Sequence, residues 1–140
     1  MIKEIALFVA TKSGLALGTR LQCAHRTPAS PDRCSVVLES GGGSTFASLP
    51  DRINKMIQVI SRGKTYMNAH DDAWTIFNAL HGTLAGSVLP LGSRTMPAIA
   101  PATQNYEVII DPVTDPQYIG PDDKGRYEFS CNYIFRIINV

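Results

Sequence analysis

The sequence predicts an α+β fold: one antiparallel sheet of about four strands with two amphipathic helices packed on one face. Three observations carry this reading. Tyr127, Phe129, Cys131, Tyr133, Phe135 and Ile137 alternate with Arg126, Glu128, Ser130, Asn132 and Arg136, and six apolar residues on a period of two need one buried sheet face. Residues 65–82 place Tyr66, Ala69, His70, Ala73, Phe77 and Leu80, followed by Leu84, on the i, i+3, i+4 spacing of a helix. Residues 2–13 repeat that spacing with Ile2, Ile5, Ala6 and Val9. The two helices are the cover available to the apolar sheet face. At 140 residues, with no internal repeat or linker, residues 1–140 are expected to form a single domain.

The elements follow in order. In the first helix Lys3, Glu4 and Lys12 lie off the apolar stripe, and Ser13 and Gly14 supply a stop. Gly14, Gly18, Pro28 and Pro31 make residues 14–33 a loop, with a short extended piece near Ala16 to Leu21. Cys34 to Glu39 reads as a strand, and three consecutive glycines make residues 40–44 a mobile loop. Met56 to Arg62 is the second strand, with Ile57 and Val59 facing one way and Gln58 and Arg62 the other. On the second helix Asp71, Asp72, Thr75 and Asn78 are assigned to the wet side, and Gly82 to its end. Gly86, Pro90, Gly92, Pro97 and Pro101 argue against a regular element over residues 83–104. There Val88, Leu89 and Met96 to Ile99 either pair loosely or form a long exposed arm. Tyr106 to Ile110 is the third strand, and residues 111–116 and 120–125 are turns before the last one.

Composition narrows the function classes. The formal net charge is +1 and the thirteen basic residues are scattered, so tight nucleic-acid binding by one copy is not expected. Charged residues make up 18%, below the ~25% of a typical globular protein, which suits a surface partly covered by another chain. Cys23, Cys34 and Cys131 form no CxxC pair and are odd in number, which suits a reducing compartment and small buried side chains. The N-terminus has too short an apolar run, broken by Glu4, to be a signal peptide, and no stretch approaches the ~20 apolar residues of a membrane span. A soluble protein of the cytosol is expected.

No set of residues converges on catalysis. His70, Asp71 and Asp72 are adjacent on a helix and point ~100° apart, so they do not share a ligand. His81 lies on the face of His70 but ~16 Å along the axis, too far for one metal. Asp122 and Asp123 sit in a Pro/Gly turn, where an aspartate holding its own backbone is the commoner use. The glycine run fails as a nucleophile elbow because Phe46 stands at the last glycine, and Gly63, Lys64 and Thr65 fail as a phosphate loop because Gln58 stands at the first. Trp74 is read as core or interface packing. No enzyme activity, metal or cofactor is expected.

Several strings nevertheless resemble the tail terminator family of long-tailed bacteriophages, whose members are often labelled minor capsid proteins. They are Gly14 to Gly18, Pro31 to Arg33 leading into Cys34 to Leu38, Gly41 and Gly42, and Val59 to Arg62 running into Tyr66, Ala69 and Ala73. The string from Asp122 to Tyr133 is the most telling, and together they span most of the chain. Residues 85–104 depart from the pattern by their length and proline content.

The resemblance implies a structural virion protein. Copies would form a ring, in that family a homohexamer, that caps the tail tube, stops its polymerisation and joins the tail to the head connector. DNA would pass through the lumen without specific binding, and assembly would take place in the host cytoplasm without a membrane. Partners are then the chain itself, the tail tube protein and the head-tail connector. Sheet edges and long loops are where such contacts fall, so the interface candidates are Gly41, Gly42, Gly43 and Phe46 in loop 40–52 and Leu91, Arg94, Met96 and Ile99 in loop 85–104. The alternatives are a head-completion or adaptor protein with a ring of twelve, a small enzyme or nucleotide-binding protein using the Gly-rich loop, and an adaptor domain unrelated to phage.

Overall fold

The computed structural model describes residues 2–41, 45–46, 49–81, 83–84, 87–88, 94–96 and 106–139. Their elements are α1 (Ile2–Ser13), β1 (Leu21–Cys23), β2 (Cys34–Glu39), β3 (Thr45–Phe46), β4 (Leu49–Gly63), α2 (Tyr66–His81), β5 (Thr83–Leu84), β6 (Ser87–Val88), β7 (Arg94–Met96), β8 (Tyr106–Pro112), β9 (Gln117–Pro121) and β10 (Tyr127–Asn139). The fold is α+β. Both helices begin and end within one residue of the sequence expectation. In α1, Gly14 adopts φ 77° and its N–H donates to Ala10 O at 2.9 Å, the left-handed cap that a residue without Cβ makes cheaply.

The sheet is larger than expected. Its path of six strands runs β1-β2-β4-β10-β8-β7, with β3 added beside β4 and β9 beside β10. It is mostly antiparallel, but β1 and β2 run parallel, Leu21 opposite Ser35 and Cys23 opposite Val37. The extra strands are two to five residues long, too short to show a period of two. β4 starts at Leu49, seven residues before the sequence signal, because the ladder with β10 continues to Arg52 opposite Ile138 despite unfavourable local residues such as Asp51 and Asn54.

The core lies between the helices and one sheet face. Across that face Val37, Val59 and Cys131 stand in one row, with Tyr133 opposite Ile57, Phe135 opposite Ile110, and Ile137 opposite Val108. All nine are buried. Against them α1 sets Ile5, Ala6, Phe8, Val9 and Ala10. Burial drives the Tyr133 phenol far above its ordinary pKa, so it stays neutral beside the Cys131 thiol.

The inward face of α2 differs from the sequence reading. Its buried residues are Ala69, Asp72, Ala73, Ile76, Ala79 and Leu80. Tyr66, His70, Trp74 and Phe77 are left along the border of the packed face, partly or largely exposed. Asp72 is therefore inside, not on the wet side, and Leu84 belongs to β5 rather than to the helix. A wheel centred on the large aromatics misplaces the stripe because small alanines let α2 sit close to the sheet.

Gly63 shows how close. A Cβ there would stand 2.9 Å from Ala69 N and 2.9 Å from Asn68 Cβ, so the end of β4 meets the first turns of α2 only without a side chain. Replacing Gly63 by Ala is expected to cost about 1–3 kcal/mol by overpacking, read as a lower urea midpoint at unchanged slope. An unchanged midpoint would show that the strand and helix separate freely.

Candidate functional site

The residues singled out as chemistry-bearing are scattered. His70 Nδ1 lies 3.2 Å from Asp71 Oδ1 at the surface, while Asp72 points inward, so the three do not converge. His81 stacks on Phe77 at 5.0 Å between ring centroids. Thr65 Oγ1 accepts from Asn68 N at 3.2 Å as an N-cap, and Lys64 reaches Asp32 at 3.4 Å, so both side chains are engaged in structural contacts. The three cysteines are free, and burial pushes each thiol above its ordinary pKa. Among the described residues no three His, Cys, Asp or Glu side chains group as metal ligands, and no helix is long and apolar enough to cross a membrane.

The strongest polar constellation went unseen in the sequence. Asp72 has only 3% of its side chain exposed and receives two arginines. Arg20 places one nitrogen 2.9 and 3.0 Å from the two carboxylate oxygens, and Arg33 spans them with Nε at 3.1 Å and Nη2 at 2.8 Å. Hydrogen bonding to Asp72 also lifts the Arg33 pKa. The two arginines precede β1 and β2, so the carboxylate locks α2 to the starts of two strands. Its signal was available: position 72 lies three after Ala69 and four before Ile76, on the alanine-lined face.

On the opposite sheet face the loop 24–33 is held by two more arginines. Arg26 donates to Cys34 O at 3.2 Å and Ile60 O at 2.6 Å, and Arg62 to Asp32 O at 3.0 Å and Pro31 O at 2.8 Å. These bonds close that end of the second face.

Asp122 does what a turn aspartate does. Its carboxylate accepts from Lys124 N at 3.0 Å and Arg126 N at 2.8 Å, while Gly125 takes φ 76°. The Arg126 guanidinium then bridges Asp122 at 2.7 Å and Asp32 at 3.0 Å, tying the β9–β10 turn to the loop before β2.

The interface candidates are only partly within view. Gly41 has φ 74°. Gly42, Gly43, Leu91 and Ile99 lie outside the described residues. Phe46 belongs to β3, opposite Leu49, while Arg94 and Met96 form the ends of β7, opposite Val108 and Tyr106. Residues 45–46, 49–52 and 94–96, read as loop, are thus sheet edge and sheet, while Ser87 and Val88 pair with β5.

Two apolar features remain at opposite edges of the sheet. At the β1 edge an open groove of about 530 Å³ runs between α1 and β1, with Ala6, Leu7, Leu17 and Cys23 in its lining. At the other edge Tyr118 of β9 meets Tyr66 at 5.5 Å, Phe129 at 5.5 Å and Tyr127 at 6.3 Å, with Ile119 exposed beside it.

Two predictions follow from the ionic contacts. Removing Arg20 and Arg33 together strands a buried carboxylate and is expected to cost about 3 kcal/mol. Asp72→Asn leaves the arginines free to turn to solvent, being 35% and 38% exposed, and is expected to cost only about 1 kcal/mol; urea unfolding of both variants checks the order. The second concerns acid. For Asp122 burial acts upward but is outweighed by the N–H of Arg126, its guanidinium and the N–H of Lys124; for Asp32 the Arg126 guanidinium dominates. Both pKa values are lowered from the ordinary 3.8. The unfolded chain then binds protons more readily, so this stabilisation is complete above 3.8 and disappears as pH falls through the lower folded values. The stability gap between the protein and Arg126→Met is therefore expected to be full at pH ~7 and to shrink as pH falls below 3.8.

The chain was compared with known proteins. A family model described as bacteriophage tail terminator protein matches residues 2–138. No curated protein sequence matches closely enough to count as a relative. The match runs through both helices and nearly all of β10, and it agrees with the resemblance carried by the strings at residues 14–18, 31–38 and 122–133. The chain belongs to the bacteriophage tail terminator protein family.

Proposed function

We propose that residues 1–140 act as one unit of a homohexameric ring that caps the tail tube, ends its polymerisation and joins the tail to the head connector. The observation that carries the reading is the family match over residues 2–138. The architecture supports it. A sheet with one face covered by helices leaves its edges for sister copies, and copies meeting head to tail close into a ring when the rotation between them divides the circle. The weak net charge of +1 suits a lumen through which DNA passes without being held.

Contacts with the tube, the connector and sister copies are assigned to the segments around Gly41, Gly42, Gly43 and Phe46 and around Leu91, Arg94, Met96 and Ile99. Of these residues, Phe46 lies in β3 and Arg94 and Met96 in β7, short strands at the sheet margins. Arg94 and Met96 are held in register by β8, which offers a firm base for the residues that follow.

Deleting Gly92 to Ala102 tests the assignment. The deletion also removes the edge strand β7, so the variant is expected to remain folded with a lowered unfolding midpoint while tails in infected cells fail to join heads. Normal virion yield would reject it. Native mass spectrometry of the assembled protein is expected to show six subunits; twelve would move the chain to the adaptor reading.

A further inference from the structure

Unlike patches at opposite margins of one molecule are what a head-to-tail contact requires. The β1 edge is not open to strand addition. Its own loop already occupies it: Leu21 N donates to Ala16 O at 3.0 Å, Gly18 N to Leu21 O at 2.7 Å, and His25 N to Cys23 O at 2.8 Å. What that margin offers is the groove between α1 and β1, with Leu17 45% exposed on its wall. The β9 edge is the reverse case. Among the described residues β9 pairs only with β10, and its outer side carries no charged side chain in the run from Gln117 to Pro121. Ile119, 53% exposed, sits where the register shifts, and Tyr118 and Tyr66 stand exposed behind it.

We propose that the β9 edge of one copy, led by Ile119 and Tyr118, seats in the α1–β1 groove of the next. This deepens the ring reading above and rests on it. Three features favour a second copy as the occupant. The patches are concave and convex apolar partners carried by the same chain. They lie four strand spacings apart, about 19 Å, so each copy can use both at once. Their linings differ in charge: the charged side chain lining the groove is Lys3, whereas Asp115 and Asp123 flank β9. Lys124 follows them, and Arg126 is already paired with Asp122 and Asp32, which leaves that edge net acidic. Uncharged exposed edges in native proteins are otherwise blunted by lysine or covered.

The test places an acidic side chain on one surface or the other of the full chain. Leu17→Glu damages the groove alone, and Ile119→Glu the edge alone; both positions are exposed, so near-ultraviolet circular dichroism should stay unchanged. Tyr118→Glu, at a half-exposed side chain of β9 itself, is a second edge variant. Each single variant is expected to self-associate roughly 30-fold more weakly than the unaltered protein by sedimentation. A mixture of Leu17→Glu and Ile119→Glu retains one sound edge and one sound groove. It is expected to give one-to-one dimers that grow no further. Association of both folded variants as strong as that of the unaltered protein, or a mixture that stays monomeric, overturns the proposal. If those variants also complete tails normally, only this interface fails; if the unaltered protein neither associates nor completes tails, the ring reading fails with it.

Discussion

The ladder between β4 and β10 is the constraint on which the rest of the molecule depends. It runs from Tyr127 opposite Gly63 to Ile138 opposite Arg52. Because side chains alternate, fixing this register sends Ile57, Val59, Cys131, Tyr133, Phe135 and Ile137 to the same side, and a slip of one residue would put them all in water. Both helices exist as helices because they cover that side. Isolated helices of twelve or sixteen residues are marginal in water, so the packed face stabilises them more than their propensity does.

Ionic contacts determine where the cover sits. Asp72 shares in setting the rotation of α2 with the buried Ala69, Ala73, Ile76, Ala79 and Leu80, since its carboxylate meets the arginines that introduce β1 and β2. With Gly63 at the strand end, this allows close approach at one point and a charge lock at another. The same geometry leaves Tyr66, His70 and Trp74 along the border of the core, where they continue into Tyr118 and Tyr127 of the sheet. An aromatic margin of this kind is stiff and apolar, and both properties suit a surface that another chain covers.

Legibility in the sequence followed the length of each element. β10 and α2 announce themselves because their patterns run long, from Tyr127 to Ile137 and from Tyr66 to Leu80, and α1 because its stripe ends at a glycine. β1, β3 and β7 could not be read: two or three residues carry no period, and their strand state is imposed by a neighbour. Asp72 was misplaced because a charged residue is placed outside by default, although its spacing to Ala69 and Ile76 put it within. The Asp122 turn was read correctly since its chemistry is local. The proposed assembly surfaces draw on two kinds of signal. Loops rich in glycine and proline drew attention to residues 40–52 and 85–104, but the exposed edge at Ile119 depends on which strand ends up outermost, which is a property of topology.

Membership of the tail terminator family and this architecture support each other through one idea: a rigid sheet, sealed on one face, that keeps its margins for other chains. Hydrogen exchange of the unassembled protein tests that idea most directly. The account predicts that amides of Ile57, Val59, Cys131, Tyr133 and Phe135 exchange last and only through global unfolding, with a free energy equal to that from denaturant, while those on the outer side of β9 exchange early. Exchange of the central amides through local opening, well before the rest of the chain unfolds, would contradict it.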